Sequence, residues 1–176
     1  MSTVTSPPPT VTPTTIEKLP ANIPCLEHNG SNWAIFKMRF RNAIKVTRQW
    51  AYFTGLNPYP EPVDAAKPFK EEATAIVQWE YEDSVASYLL SQRLPDTTEM
   101  RLANCETTRE RWALVTQEYQ AKSAYAQADL RQVFLDMRYA KGGNTRDFLA
   151  SLCCKHEELA TAGVLVTEKE YEHTIL

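Results

Sequence analysis

The chain has 176 residues and a formal net charge of −3, with 43% hydrophobic and 23% charged residues. This length suits one domain, or one domain and a tail, and the composition is that of an ordinary soluble protein. The slightly acidic balance argues against a dedicated nucleic-acid or membrane-surface binder. No run approaches the roughly 18 apolar residues that a membrane-spanning helix needs.

The N-terminal segment differs in composition from the rest of the chain. Residues 1–24 hold six of the eleven prolines, many threonines and almost no large apolar side chains. Such a segment cannot bury enough surface to offset the entropy lost on ordering, so it is predicted to be a disordered tail. The packed domain is expected to span residues 25–176. No secretory signal is visible and the four cysteines follow no disulfide pattern, so a cytoplasmic protein with reduced thiols is expected.

From Cys25 onward an apolar period of 3.6 residues dominates, which predicts an all-α helical bundle of about six or seven helices. Ser31 is expected to cap the first helix, which should end near Trp50. One face of that helix is apolar and carries Trp33, Phe36, Phe40, Ala43 and Ile44. The Pro-rich residues 54–68 are predicted to form a loop.

A long helix is predicted over residues 69–93, with two apolar faces. One face holds Ile76, Trp79, Ala86 and Leu90, and the other holds Val77, Tyr81, Val85 and Tyr88. A helix contacted from two sides should lie at the centre of the bundle.

Later helices are delimited by their predicted caps. The spacing of a capping box occurs three times, starting at Asp96, Thr107 and Thr167. Residues 142–143, both Gly, should stop the helix that carries Leu130, Val133, Phe134 and Met137, and Asn144 or Thr145 should cap the next one. The inward residues predicted for that next helix, which Gly163 should end, are Leu149, Leu152, Cys153, His156 and Leu159.

No group of residues has the spacing of a catalytic site, so the chain is not expected to be an enzyme or to bind a small-molecule substrate or cofactor. Cys153, Cys154 and His156 invite a test for zinc, but a structural site needs two further ligands at matching spacing. A buried thiol beside a hydrogen-bonded core histidine is the favoured interpretation, and no metal site is predicted.

Asp83 falls among the apolar positions of the predicted long helix. A carboxylate on an apolar face must find a partner, such as an indole N–H, a helix N-terminus or an arginine. A role in locking the core is therefore expected for Asp83 rather than a catalytic one.

The first predicted helix carries a basic stripe of Lys37, Arg41, Lys45 and Arg48, with Arg39 on the opposite side. No acidic residue interrupts residues 31–55. The stripe is a candidate contact for RNA phosphates or another anion. A solvated charged face is the commoner explanation of such a run.

A set of residues spread over the whole predicted domain forms an ordered pattern. Its members, in chain order, are Leu26, Asn29, Gly30, Asn32, Trp33, Met38, Trp50, Gly55, Pro58, Trp79, Asp83, Ala86, Thr107, Trp112, Leu114, Tyr119, Leu130, Leu135, Met137, Phe148, Leu152, Leu159 and Gly163. This pattern resembles the Gag polyprotein, in its capsid region, of Ty1/copia-type LTR retrotransposons. The resemblance covers about residues 25–176.

The resemblance implies a structural protein whose copies self-assemble into virus-like particles that package element RNA. It also implies that the chain stops where the family pattern continues, so that later helices and an RNA-binding zinc knuckle are expected to be missing. Two alternatives stay open: a domesticated or decayed Gag that acts as a helical protein-interaction module, and an RNA-binding protein that uses the basic stripe.

Overall fold

The computed structural model of the chain describes residues 18–140 and 142–175. Within these residues the protein has seven helices and no strand, so the predicted all-α fold class is confirmed. The helices are α1 (Trp33–Val46), α2 (Trp50–Thr54), α3 (Lys70–Ser91), α4 (Asp96–Arg101), α5 (Thr108–Asp136), α6 (Thr145–Thr161) and α7 (Glu168–Ile175). Residues 1–17, most of the predicted tail, lie outside the described residues.

The central element is α5, a helix of 29 residues that contacts α1, α2, α3, α6 and α7. Its N-cap is Thr107, whose hydroxyl accepts a hydrogen bond from the backbone N–H of Glu110 at 3.2 Å, as the capping-box spacing predicts. The helix contains no glycine or proline, which would weaken or break it.

The prediction that the helix over residues 69–93 is central is wrong. Of its second apolar face only Val85 is buried, whereas Val77 and Tyr88 are 65% and 53% exposed. Periodicity shows which residues share a face, but it cannot show whether a neighbouring helix covers that face.

The main core is an aromatic cluster between α1, α2 and α5. Trp112 of α5 lies at its centre, with ring centroids 5.8 Å from Trp33, 5.5 Å from Phe40 and 5.8 Å from Phe53. Tyr119, two turns further along the same face of α5, stacks on Trp33 at 5.9 Å. Aromatic pairs at such separations add stabilisation beyond the area they bury. The predicted apolar face of the first helix is therefore confirmed.

The boundaries of α1 differ from those predicted. The helix ends at Val46, and a turn follows in which Arg48 takes the left-handed conformation, with φ of 62°. At the other end Asn32, and not Ser31, occupies the N-cap position. The Asn32 amide accepts the N–H of Glu27 at 2.9 Å and donates to the carbonyl of Cys25 at 2.8 Å, so it fixes the segment before the helix.

Residues 18–24, which composition assigns to the tail, pack against the core. Leu19 and Ile23 are buried, and the N–H of Leu19 donates to the side-chain carbonyl of Gln92 at 3.3 Å. Arg93 donates to the carbonyl of Pro20 at 3.3 Å. The packed region therefore begins before the predicted boundary at Cys25.

A second, smaller core lies between the C-terminal half of α5, α6 and α7. Phe134, Leu152 and Leu159 are fully buried in it, and Leu130 and Tyr171 pack around them. The predicted inward positions Leu149 and Cys153 of α6 are wrong, because both side chains are exposed.

The helix ends around the second core match the predicted caps in part. Asn144 caps α6 by accepting the N–H of Arg146 at 3.0 Å. At α7 the N–H of Thr167 donates to the Glu170 carboxylate at 2.9 Å and the N–H of Glu170 to the Thr167 hydroxyl at 3.4 Å, the reciprocal pair of a capping box. At α4, outside the second core, the capping box predicted to start at Asp96 is wrong, since Pro95 holds the N-cap position.

Candidate functional site

The basic residues singled out in the sequence form one face of α1, which we call the basic face: Lys37, Arg41 and Lys45 on the helix, and Arg48 in the turn after it. Successive members on the helix are four residues apart, so they lie side by side. The Lys37 ammonium lies 5.6 Å from the ring centroid of Trp33, and the Arg41 guanidinium lies 5.8 Å from that of Trp50. Aromatic residues of the core thus position two of the four charges.

None of the four charges has a salt-bridge partner within residues 18–140 and 142–175. The sequence provides none nearby, because residues 31–60 contain no acid. Arg39, on the opposite side, is engaged instead with the backbone carbonyl of Asn22 at 2.8 Å. The basic face therefore presents uncompensated positive charge to solvent.

Asp83 finds one of its predicted partners, a helix N-terminus. The backbone N–H of Thr108, at the start of α5, lies 3.2 and 3.1 Å from the two carboxylate oxygens. The Thr108 hydroxyl donates to the Asp83 carbonyl at 2.8 Å. Burial raises the pKa of Asp83 above its ordinary value, although the hydrogen bonds from Thr108 and the charge of Arg111 act to lower it.

Trp79 fixes the loop between α2 and α3. Its indole N–H donates to the carbonyl of Asn57 at 3.1 Å, and its ring lies 5.2 Å from Tyr59 and 5.7 Å from Tyr52. The Tyr52 hydroxyl donates to Glu82. Burial, with the neighbouring Glu82 carboxylate, raises the pKa of Tyr52 above its ordinary value.

These contacts enclose a cavity of about 340 Å³ where distant parts of the ordered pattern meet. Its lining includes Gly55, Pro58, Trp79, Asp83 and Thr107. The size would suit a small ligand. However, the indole N–H of Trp79 and both Asp83 oxygens are already bonded within the chain. The pattern residues here hold the loop to α3 and α5.

Six further residues of the pattern are buried in, or packed against, the two cores. Asn32, Trp33, Trp112 and Tyr119 are buried around the main core, and the Tyr119 hydroxyl lies 2.7 Å from that of Thr98. Leu152 is fully buried in the second core and Leu130 packs against it.

The cysteines of α6 do not lie as predicted. Both Cys153 and Cys154 are exposed, with the Cys153 sulfur 3.7 Å from the Tyr171 hydroxyl, so the prediction of a buried thiol is wrong. His156 packs its ring 5.4 Å from that of Tyr171. Among the described residues no three His, Cys, Asp or Glu side chains are grouped to hold a metal ion.

Sequence reasoning missed a second cavity, of about 430 Å³, between the start of α1, α5 and α6. Three carboxylates line it, those of Glu27, Glu157 and Glu158, together with Leu130 and Ala162. We call it the acidic cavity. Local spacing holds no signal for it, because Glu27 and Glu157 are brought together only by the packing of α6 on α5.

The chain is similar to a known protein family. A family described as the gag-polypeptide of LTR copia-type matches residues 44–176, which is about three quarters of the chain. No curated protein and no solved structure matches the chain. Within the described residues, no helix is both long and apolar enough to cross a membrane.

Proposed function

Because the chain belongs to the copia-type LTR gag-polypeptide family, we propose that it is a capsid-like protein whose copies assemble into virus-like particles and package element RNA. The family is structural rather than catalytic, and the family match over residues 44–176 is the observation that carries the proposal. The four free cysteines suit assembly in the reducing cytoplasm.

Two features of the described residues support assembly. The indole N–H of Trp79 and the carboxylate of Asp83 are bonded inside the fold, which leaves recognition to the surface. The outer side of α1 also exposes apolar residues beside the basic face, with Met38 52% and Val46 84% exposed. Exposed apolar groups next to charge are common at contacts between protein copies.

Packaging requires contact with phosphate, and the basic face offers charge suited to it. Lysine and arginine bind phosphates without reading sequence, and such binding weakens with rising salt. Two kinds of acidic surface therefore fit the basic face: RNA phosphates and the carboxylates of another copy.

Light scattering on a sizing column, across a series of protein and salt concentrations, tests assembly, with electron microscopy of the heaviest fraction. Closed uniform particles or discrete rings are expected. A monomer at every concentration would contradict assembly and would favour a helical protein-interaction module.

RNA binding is tested separately, by fluorescence anisotropy with a single-stranded RNA. Replacing Lys37, Arg41, Lys45 and Arg48 with Gln should lower the affinity and reduce the steepness of its salt dependence. Replacing the exposed Lys67 and Lys70 with Gln is the control. An affinity that the four substitutions leave unchanged removes the basic face as the RNA contact.

A further inference from the structure

The acidic cavity carries charge that this chain neutralises only in part. Glu158 pairs with Lys155 at 2.6 Å, and Glu27 accepts the hydroxyl of Ser31. Glu157 is exposed and has no ion-pair partner among the described residues. The cavity therefore keeps net negative charge beside the apolar groups of Leu130 and Ala162.

The basic face runs along α1 from Lys37 to the turn at Arg48, and the acidic cavity lies at the N-terminal end of that helix. The cavity includes Asn32, directly before the helix, whereas Lys45 is in its last turn. At 1.5 Å per residue these positions are about 20 Å apart along the axis. Within the described residues no ion pair joins the basic face to the carboxylates of the cavity, so both charged surfaces remain available to another molecule.

We infer that the basic face of one copy docks on the acidic cavity of a second copy, in a head-to-tail contact that repeats along the assembly. The inference rests on the self-assembly proposed above and names the surfaces that meet. Its support is charge complementarity between two surfaces of the same chain, which steers association and fixes register.

Both surfaces also carry apolar side chains beside their charges. Met38 and Val46 are exposed on α1 near the charges of Arg41 and Lys45, and Leu130 lies in the lining of the cavity. A contact between two different patches of identical copies is heterologous. Such contacts generate closed rings when the rotation between copies closes, and open filaments when it does not.

Two charge-reversed variants test the contact. The face variant carries Arg41→Glu and Lys45→Glu, and the cavity variant carries Glu157→Lys and Glu158→Lys. In either variant alone, like charges would meet, so the dissociation constant for self-association should rise by at least about tenfold. Sedimentation velocity measures it, and circular dichroism confirms that each variant keeps its helices.

An equimolar mixture of the two variants is the decisive measurement. When the two variants alternate along the assembly, the new glutamates of the face variant meet the new lysines of the cavity variant. At the next contact, the unaltered basic face of the cavity variant meets the unaltered cavity of the face variant. Association should return to within about threefold of wild type. Restored association would also show that both variants are folded. Glu80→Lys on α3 and Lys67→Glu in the loop before it are controls, since neither residue belongs to the two surfaces.

Each outcome has a distinct meaning. Wild type that never associates overturns the proposed assembly and this contact together. If wild type and the cavity variant associate equally well, the proposed assembly stands but the contact is overturned. The contact is also overturned if neither variant associates alone and their equimolar mixture does not associate either. If the face variant loses only RNA affinity, the basic face serves RNA instead.

Discussion

Asp83 and Thr108 hold α3 to the first turn of α5, with both carboxylate oxygens of Asp83 within 3.2 Å of one backbone N–H. The first N–H groups of a helix have no partner within it, and a buried one must be satisfied from outside. The carboxylate does so, and its charge also suits the positive end of the helix. Removing the side chain would leave a buried donor unpaired.

The raised pKa of Asp83 predicts how stability changes with pH. A carboxyl whose pKa is higher in the folded than in the unfolded state contributes stability that is present at low pH and lost as pH rises through the folded-state pKa. The free energy of unfolding of wild type should therefore fall relative to that of Asp83→Asn as the pH rises above about 4, the ordinary pKa of an aspartate carboxyl. Urea unfolding at each pH measures the difference.

The control for this pH dependence is Glu80→Gln, an exposed carboxylate on the same helix. A wild-type advantage that instead grows with pH would mean that the hydrogen bonds from Thr108 outweigh burial, and the direction of the shift would be wrong.

The buried hydroxyl pair of Tyr119 and Thr98 predicts a coupled loss of stability. The two oxygens lie 2.7 Å apart and both residues are fully buried. Tyr119→Phe or Thr98→Val alone leaves one hydroxyl without a partner, which should cost about 1–3 kcal/mol. The double variant removes both groups, so it should lose less than the sum, with a coupling of at least about 0.5 kcal/mol. Additive losses in a urea double-mutant cycle would show that the pair is not coupled.

Gly30 is predicted to be more sensitive to alanine than Gly142. Both have positive φ, 76° and 82°, so each substitution costs backbone strain. A Cβ at Gly30 would lie 2.8 Å from the Cβ of Lys122 and 3.0 Å from the backbone nitrogen of Ser123 in α5, whereas one at Gly142 meets nothing within 4 Å. Gly30→Ala should therefore be at least about 1 kcal/mol more destabilising. Equal losses in thermal unfolding would contradict this close approach.

Leu152→Ala should loosen the second core more than the first. Leu152 is fully buried between α5, α6 and α7, and such a truncation typically costs about 2–5 kcal/mol. Because the second core is small, hydrogen exchange should speed up in α6 and α7 while amides of α1 and α2 stay protected. Uniform acceleration along the chain would show instead that the two cores unfold as one unit.

Periodicity and capping spacing predicted much of this fold, and the misses have physical causes. The face of α1 and the caps at Thr107, Asn144 and Thr167 follow from local chemistry. The end of α1 does not, because the chain turns at Arg48 without glycine or proline. At α3, the apolar residues Val77 and Tyr88 remain exposed, and only tertiary packing decides that.

The two candidate surfaces also differ in how far the sequence predicts them. The basic face can be read from the spacing of Lys37, Arg41 and Lys45, since a helix places them together. The acidic cavity joins Glu27 to Glu157 across more than a hundred residues. No local pattern encodes that meeting, because it depends on where α6 packs.

The continuous α5 has a mechanical consequence. It reaches from the aromatic core to the second core, about 43 Å at 1.5 Å per residue, with no glycine or proline at which it could hinge. The two cores are therefore joined by one uninterrupted helix, so bending between them would have to distort α5 itself. In a curved shell built from such subunits, the differences in curvature would have to be absorbed at the contacts between copies rather than within each one.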